Sequence, residues 1–198
     1  MSNLKKGLLI FLVLIFVIAL FLFMSGSKSN QKKQPANTGP IPVPSDFNVD
    51  YSHLNKLIPG KSTLEEVEGI NGLPSSASTF GNNTILYYLT PSSQYKNTVA
   101  IENGKVKYAI ENVFGEYRGT YDSYVKAYGQ PDLHLYNSDG SYFDWFVFLK
   151  FGIGVENSAG GITRILYFVP QSKDDFMNGL AKDVGLSLDL PTQSPNAY

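Results

Sequence analysis

Residues 7–24 are apolar without interruption, whereas from residue 51 onward apolar positions recur first at helical and then at alternating spacing. An apolar run with no charge and no polar face crosses a bilayer core when it reaches roughly 17–25 residues. The run predicts an N-terminal transmembrane helix within residues 1–24. A cleaved signal peptide is the competing reading, since Lys5 and Lys6 make a basic n-region and Ser25-Gly26-Ser27 offers small residues. The run is longer than the roughly 7–15 residues of an ordinary signal core and no Ala-x-Ala site follows, so retention is expected. Residues 25–50 turn to Ser, Gly, Asn, Gln, Lys and Pro, a composition that cannot bury enough apolar surface to fold and reads as a tether.

The folded part begins with a capped helix. Ser62 can cap it and Glu65 can answer as the capping box, Leu64, Val67 and Ile70 share one face, and Gly72-Leu73-Pro74 stops it. Alternating segments follow at residues 84–90, 97–102 and 105–113, the last two joined by the tight-turn pair Asn103-Gly104. The pattern then returns, with Thr120, Tyr121, Asp122, Tyr124, Gly129 and Pro131 in the places of Thr63, Leu64, Glu65, Val67, Gly72 and Pro74. Strand-like segments follow it at 142–151, 152–156 and 162–169. The predicted fold class is α+β: an N-terminal transmembrane helix, then a tandem repeat of a short helix plus a three-stranded antiparallel meander, at residues 51–115 and 116–170. Residues 171–198 predict an amphipathic helix carrying Phe176, Met177, Leu180, Ala181, Val184 and Leu188, and a tail.

Composition narrows the chemistry. The 198 residues contain no cysteine, which removes disulfides, thiolate chemistry and lipidation, and a net charge of −1 speaks against a nucleic-acid surface. The short basic N-tail favours N-in, C-out, which places the domain outside the cytoplasm at the cell membrane. His53 and His134 stand in no metal-ligand or catalytic spacing, and no Gly-x-Ser-x-Gly elbow occurs. Glu65 and Glu66 lie in a first helical turn, where they complement the helix dipole. Gly152, Gly154, Gly160 and Gly161 read as hairpin glycines, and Asn82-Asn83-Thr84 matches a glycosylation acceptor. No catalytic, cofactor-binding or metal-ligating residue is assigned.

Strand alternation assigns Ile85, Tyr87, Leu89, Val99, Ile101, Val106, Tyr108 and Ile110 to a core face in the first repeat. In the second it assigns Phe143, Trp145, Val147, Leu149, Ile153, Val155, Ile165, Tyr167 and Val169. The opposite face of the second repeat then carries Tyr142, Phe146, Phe148, Lys150, Arg164, Leu166 and Phe168, rings mixed with cations, as interface hot spots do. These form the candidate partner-binding patch. The alternative is that its rings are covered by the other repeat, by the C-terminal helix or by a second copy of the chain.

The series Gly60, Thr63, Val67, Gly72 and Pro74, followed by strands, resembles the helix-and-meander domain of small outer-membrane assembly lipoproteins of the SmpA/OmlA type. Its tandem form over residues 52–170 resembles β-lactamase inhibitory protein. The resemblance implies a non-enzymatic binder whose concave, aromatic-rich sheet is the contact surface. The expected function is a non-catalytic, membrane-anchored protein-binding or scaffold module of the cell envelope, with a protein partner and no cofactor. The alternatives are an envelope hydrolase with an unrecognised site and a secreted inhibitor freed by signal cleavage.

Overall fold

The computed structural model of the chain describes residues 54–90, 95–113, 118–141, 143–158 and 161–190. The predicted anchor at 7–24 and tether at 25–50 lie outside the described residues, as does the tail from 191. Among the described residues no helix is long and apolar enough to cross a membrane.

Helix α1 (Leu64–Asn71) forms where predicted, but its capping box sits one residue later than Ser62 and Glu65. The Thr63 hydroxyl accepts from the Glu66 amide, and the Glu66 carboxylate accepts from the Thr63 amide. Ser62 is unavailable because its hydroxyl already accepts from the Ile58 amide at 3.0 Å and closes the preceding turn. Helix α2 (Tyr121–Tyr128) starts after Thr120 in the same manner, with Ser123 as the reciprocating residue. Gly72 and Gly129 end the two helices.

After α1 come strands β1 (Ser76–Phe80), β2 (Asn83–Leu89), β3 (Lys96–Glu102) and β4 (Lys105–Asn112). After α2 come β5 (Leu133–Asn137), β6 (Asp144–Phe148), β7 (Ile153–Ser158) and β8 (Gly161–Phe168). Two short helices, α3 (Lys173–Asn178) and α4 (Leu180–Asp183), and a two-residue strand β9 (Leu186–Ser187) complete the described chain. The single amphipathic helix expected beyond residue 171 is thus broken at Gly179. Asn103 and Gly104, with φ of 52° and 75°, make the predicted β3–β4 turn.

All the strands belong to one antiparallel sheet of nine, in the order β1-β2-β3-β4-β8-β7-β6-β5-β9. This overturns the predicted α+β tandem of separate three-stranded meanders: the described region is mostly β and its sheet is continuous. The join is β4 against β8, with Tyr108 opposite Phe168 and Asn112 opposite Arg164. Strands β1, β5 and β9 escaped the pattern because Ser-Ala-Ser-Thr-Phe and Leu-His-Leu-Tyr-Asn lack a long apolar alternation, and β9 is too short to show one.

The central strands of the sheet are covered on both faces. On one, α1, α2 and the turn holding Leu54 and Leu57 pack Val67, Tyr124 and Tyr128 onto Leu86, Tyr88, Val99, Phe148, Val155, Ile165 and Tyr167. On the other, Phe176, Leu180, Ala181 and Leu186 pack onto Tyr108, Leu135, Trp145, Val147, Leu166 and Phe168. Each such fully buried side chain contributes about 1.5–3 kcal/mol of transfer free energy. Two covered faces also explain the phase errors of the sequence reading. Leu86 and Tyr88, not Ile85, Tyr87 and Leu89, are buried in β2, and Leu89 is 65% exposed. A strand apolar on both sides has no period-two signal from which to tell its faces apart.

Candidate binding surface

The predicted patch does not form. Register places Phe146 opposite Val155 and Val155 opposite Ile165, so Phe146 and Phe148 share the face under α2. Leu166 lies opposite Gly154 and Ile110, so it points with Phe168 to the other face, under α3 and α4. Phe148, Leu166 and Phe168 are fully buried, the last against Phe176 at 5.0 Å between ring centres. Phe146 is half-buried between Tyr121 at 4.2 Å and His134 at 4.7 Å. Lys150 stays exposed beside the Phe151 ring, and Tyr142 lies outside the described residues. Of the alternatives, cover by the C-terminal segment describes Leu166 and Phe168, whereas Phe146 and Phe148 are covered by α2 of their own repeat, which none of the alternatives named.

Arg164 is drawn into an inner polar network. The Glu156 carboxylate accepts from the Thr163 hydroxyl at 2.7 Å, from Arg164 Nε at 2.7 Å, from Arg164 Nη2, and from Asn137 Nδ2 at 3.0 Å. Asn137 Oδ1 in turn accepts from Trp145 Nε1 and Arg164 Nη2, while the guanidinium lies 5.2 Å from the Trp145 ring centre. Burial alone would raise the Glu156 carboxyl, but the hydrogen bonds and charge of Arg164, with Thr163 and Asn137, hold it below its ordinary value. Beside this network Tyr95, Asn112, Asp139, Ser141 and Phe143 line a cavity of about 240 Å³. With both Glu156 oxygens doubly engaged, the network's chemistry is structural: it ties β5, β6, β7 and β8 together.

Two further charged groups of side chains read the same way. Glu111, on the face under α2, pairs with Arg118 at 3.2 Å and accepts from the Tyr167 hydroxyl at 2.8 Å, all three buried. Burial first, then the nearby Glu111, push the Tyr167 phenol well above its ordinary value. At one end of the sheet a cavity of about 530 Å³ is lined by Gly60, Glu102, Lys105, Lys107, Asp175 and Asp183. There Lys107 bridges Glu102 at 2.9 Å and Asp183 at 3.0 Å, linking β3 and β4 to α4. Desolvation lowers the Lys107 ammonium, yet the two carboxylates outweigh it and raise it above its ordinary value. A lysine held more firmly charged is not tuned toward base or nucleophile.

His134 is exposed and meets Asp144 at 2.8 Å across β5 and β6, stacked on Phe146 rather than joined to a serine or threonine hydroxyl. His53 lies outside the described residues. Among the described residues no three His, Asp or Glu side chains converge as a metal site.

A different surface stands out. Strand β1 is at one end of the strand order, so no described strand pairs with its outer side, and all five of its residues are exposed. Phe80, at its end, is 84% exposed; Leu73, just before it, is 82% exposed. These residues belong to a stretch, 69–95, with no charged side chain and no histidine. Proteins ordinarily blunt a free sheet edge with lysine, proline, a bulge or a cover, and among the described residues β1 has none of these. The absence of charge from 69 to 95 was the sequence signal for this surface, and a search for rings beside cations passes over it.

No protein-family model matches the chain, and no curated protein matches it. Among solved structures it is similar to a DUF4309 family protein, YjgB, from Bacillus subtilis subsp. subtilis str. 168. The two are 13% identical with a TM-score of 0.41, over 57% of this chain and 82% of that one. A likeness of that depth indicates nothing about activity or partner.

Proposed function

We propose that the chain is a non-catalytic protein-binding module of the cell envelope, anchored by residues 7–24 and held off the membrane by residues 25–50. It binds by adding a partner's extended strand to β1. The observation that carries this reading is the open edge: five exposed, uncharged residues ending in an uncovered Phe80. Strand addition supplies affinity through main-chain hydrogen bonds and specificity through alternate side chains. The hydrolase alternative needs a concavity with groups tuned toward neutral pH. The large cavity at the sheet end instead holds Lys107 between two carboxylates that keep it charged.

The test is a photo-reactive amino acid at Phe80 in the full-length chain in cells, with the exposed Lys126 on α2 as the control position. The expected result is an adduct in the membrane fraction from position 80 and none from 126. A chain recovered only in the soluble fraction removes the anchor; absence of any adduct at 80 removes the binding edge.

A further inference from the structure

We infer that the strand added to β1 is β1 of a second copy of the chain, paired antiparallel about Ser78. This rests on the strand-addition reading above and names its partner. In that register Ser78 faces itself, Ala77 faces Thr79, and Ser76 faces Phe80 of the other copy. Every pair sets a small side chain against another or against the ring, and none brings like charges together, because the whole stretch 69–95 is uncharged.

The side chains complete the argument. Phe80, Ser78 and Ser76 lie opposite Asn83, Ile85 and Tyr87 on β2, so they share one face of the sheet. Across the two-fold axis Phe80 of one copy lies beside Ser76 of the other, and Tyr87 is the next residue on that face. Serine leaves the ring room to reach Tyr87, whose hydroxyl already leans to the edge, 3.4 Å from Ser78 Oγ. The most exposed large apolar side chain of the described residues gains an aromatic neighbour, twice over by symmetry.

A contact of this kind uses the same residues on both partners and closes at a dimer. The other end of the sheet does not continue it, because β5 is followed by the short β9. Two copies tethered to one membrane also meet at a raised effective concentration.

The chain has no cysteine, so a Ser78→Cys substitution introduces its single thiol. Directly opposed residues of antiparallel strands are about 4.5–5.5 Å apart at Cα, inside the roughly 4.4–6.8 Å a disulfide spans. Position 80 is about 14 Å from its own counterpart in this register, at ~3.4 Å per residue. Full-length chains are oxidised mildly in their own membranes and the chain-to-chain disulfide is followed over time. The expected result is that Ser78→Cys cross-links at least tenfold faster than Ser76→Cys or Phe80→Cys alone, and that the latter two, co-expressed, cross-link to each other.

If Ser78→Cys joins a different protein and not itself, the second copy is the wrong partner while strand addition stands; if Phe80→Cys alone cross-links equally fast, the pairing about Ser78 is wrong and the inference is overturned. If position 78 captures nothing and the Phe80 probe captures nothing, both fall. As a second measurement, Ser78→Lys places two cations face to face: sedimentation of the solubilised chain should shift from dimer to monomer with the melting curve of the fold unchanged. A wild-type chain that sediments as a monomer over the same concentrations overturns the inference.

Discussion

The two edges of this sheet are finished in opposite ways. At the far edge, β5 is met by the two-residue β9, through Tyr136 with Ser187 and Asn137 with Leu186, and carries the exposed His134–Asp144 pair. The chain that leads into β9 first lays Phe176, Leu180 and Ala181 over the adjoining face. Shortness, charge and a cover are the devices by which folded proteins keep a sheet from growing. At the near edge β1 is longer, uncharged and uncovered on all five residues. Among the described residues one edge is closed with several devices and the other with none, and this contrast is what the proposed strand addition rests on.

That contrast can be broken most severely by removing the cover at the far edge. Phe176 is fully buried against Phe168, and Phe176→Ala should cost about 3–5 kcal/mol, read from denaturant midpoints, by leaving a cavity over Leu166 and Phe168. Next is the network beneath the same half of the sheet. Glu156→Gln strips the charge that Arg164 answers and should cost about 3 kcal/mol. Because the folded carboxyl lies below its ordinary value, this stabilisation is present above a pH of about 4.3 and is lost as pH falls through the lower folded value. Wild-type melting temperature should therefore drop in acid below that point, and the variant should drop less steeply.

Unpinning the short strand is a milder change with a sharper meaning. Leu186 is the buried residue of β9, and Leu186→Ala should cost about 2–3 kcal/mol; if β9 guards its edge, the variant should also gain concentration-dependent association in light scattering. The smallest effect on stability belongs to the near edge. Phe80→Ser should change unfolding free energy by less than about 0.5 kcal/mol, since the ring is 84% exposed, while weakening capture at β1. A large loss of stability there would mean that Phe80 is packed in the fold rather than offered to a partner.

Parts of this architecture were legible in the residues. The apolar-periodic runs and the glycines after them, Gly72 and Gly129, marked both sheet-packing helices, although the first cap is Thr63 rather than Ser62. Asn103-Gly104 marked a hairpin because its backbone needs two positive φ angles in succession. The patch was not legible. Its residues alternate correctly within β6 and within β8, but which residue of β6 shares a face with which residue of β8 depends on pairing through β7, which sets Phe146 opposite Val155 and Val155 opposite Ile165. A one-residue error in phase exchanges whole faces, and it set Phe146 and Phe148 beside Leu166 and Phe168, which point the other way. Arg164 carries the same lesson: beside rings it reads as a hot spot, yet Glu156, eight positions away, claims its guanidinium.

Local chemistry along the chain determined where helices begin and end, where one hairpin turns, that no thiol is present, and that residues 69–95 carry no charge. Those properties need only neighbouring residues and short-range sterics. The tertiary structure alone decided that the strands join into one sheet through β4 and β8, which rings are covered, and which edge is closed. These follow from pairings between segments far apart in sequence, where many registers satisfy the same alternation and only the fit of both covered faces selects one.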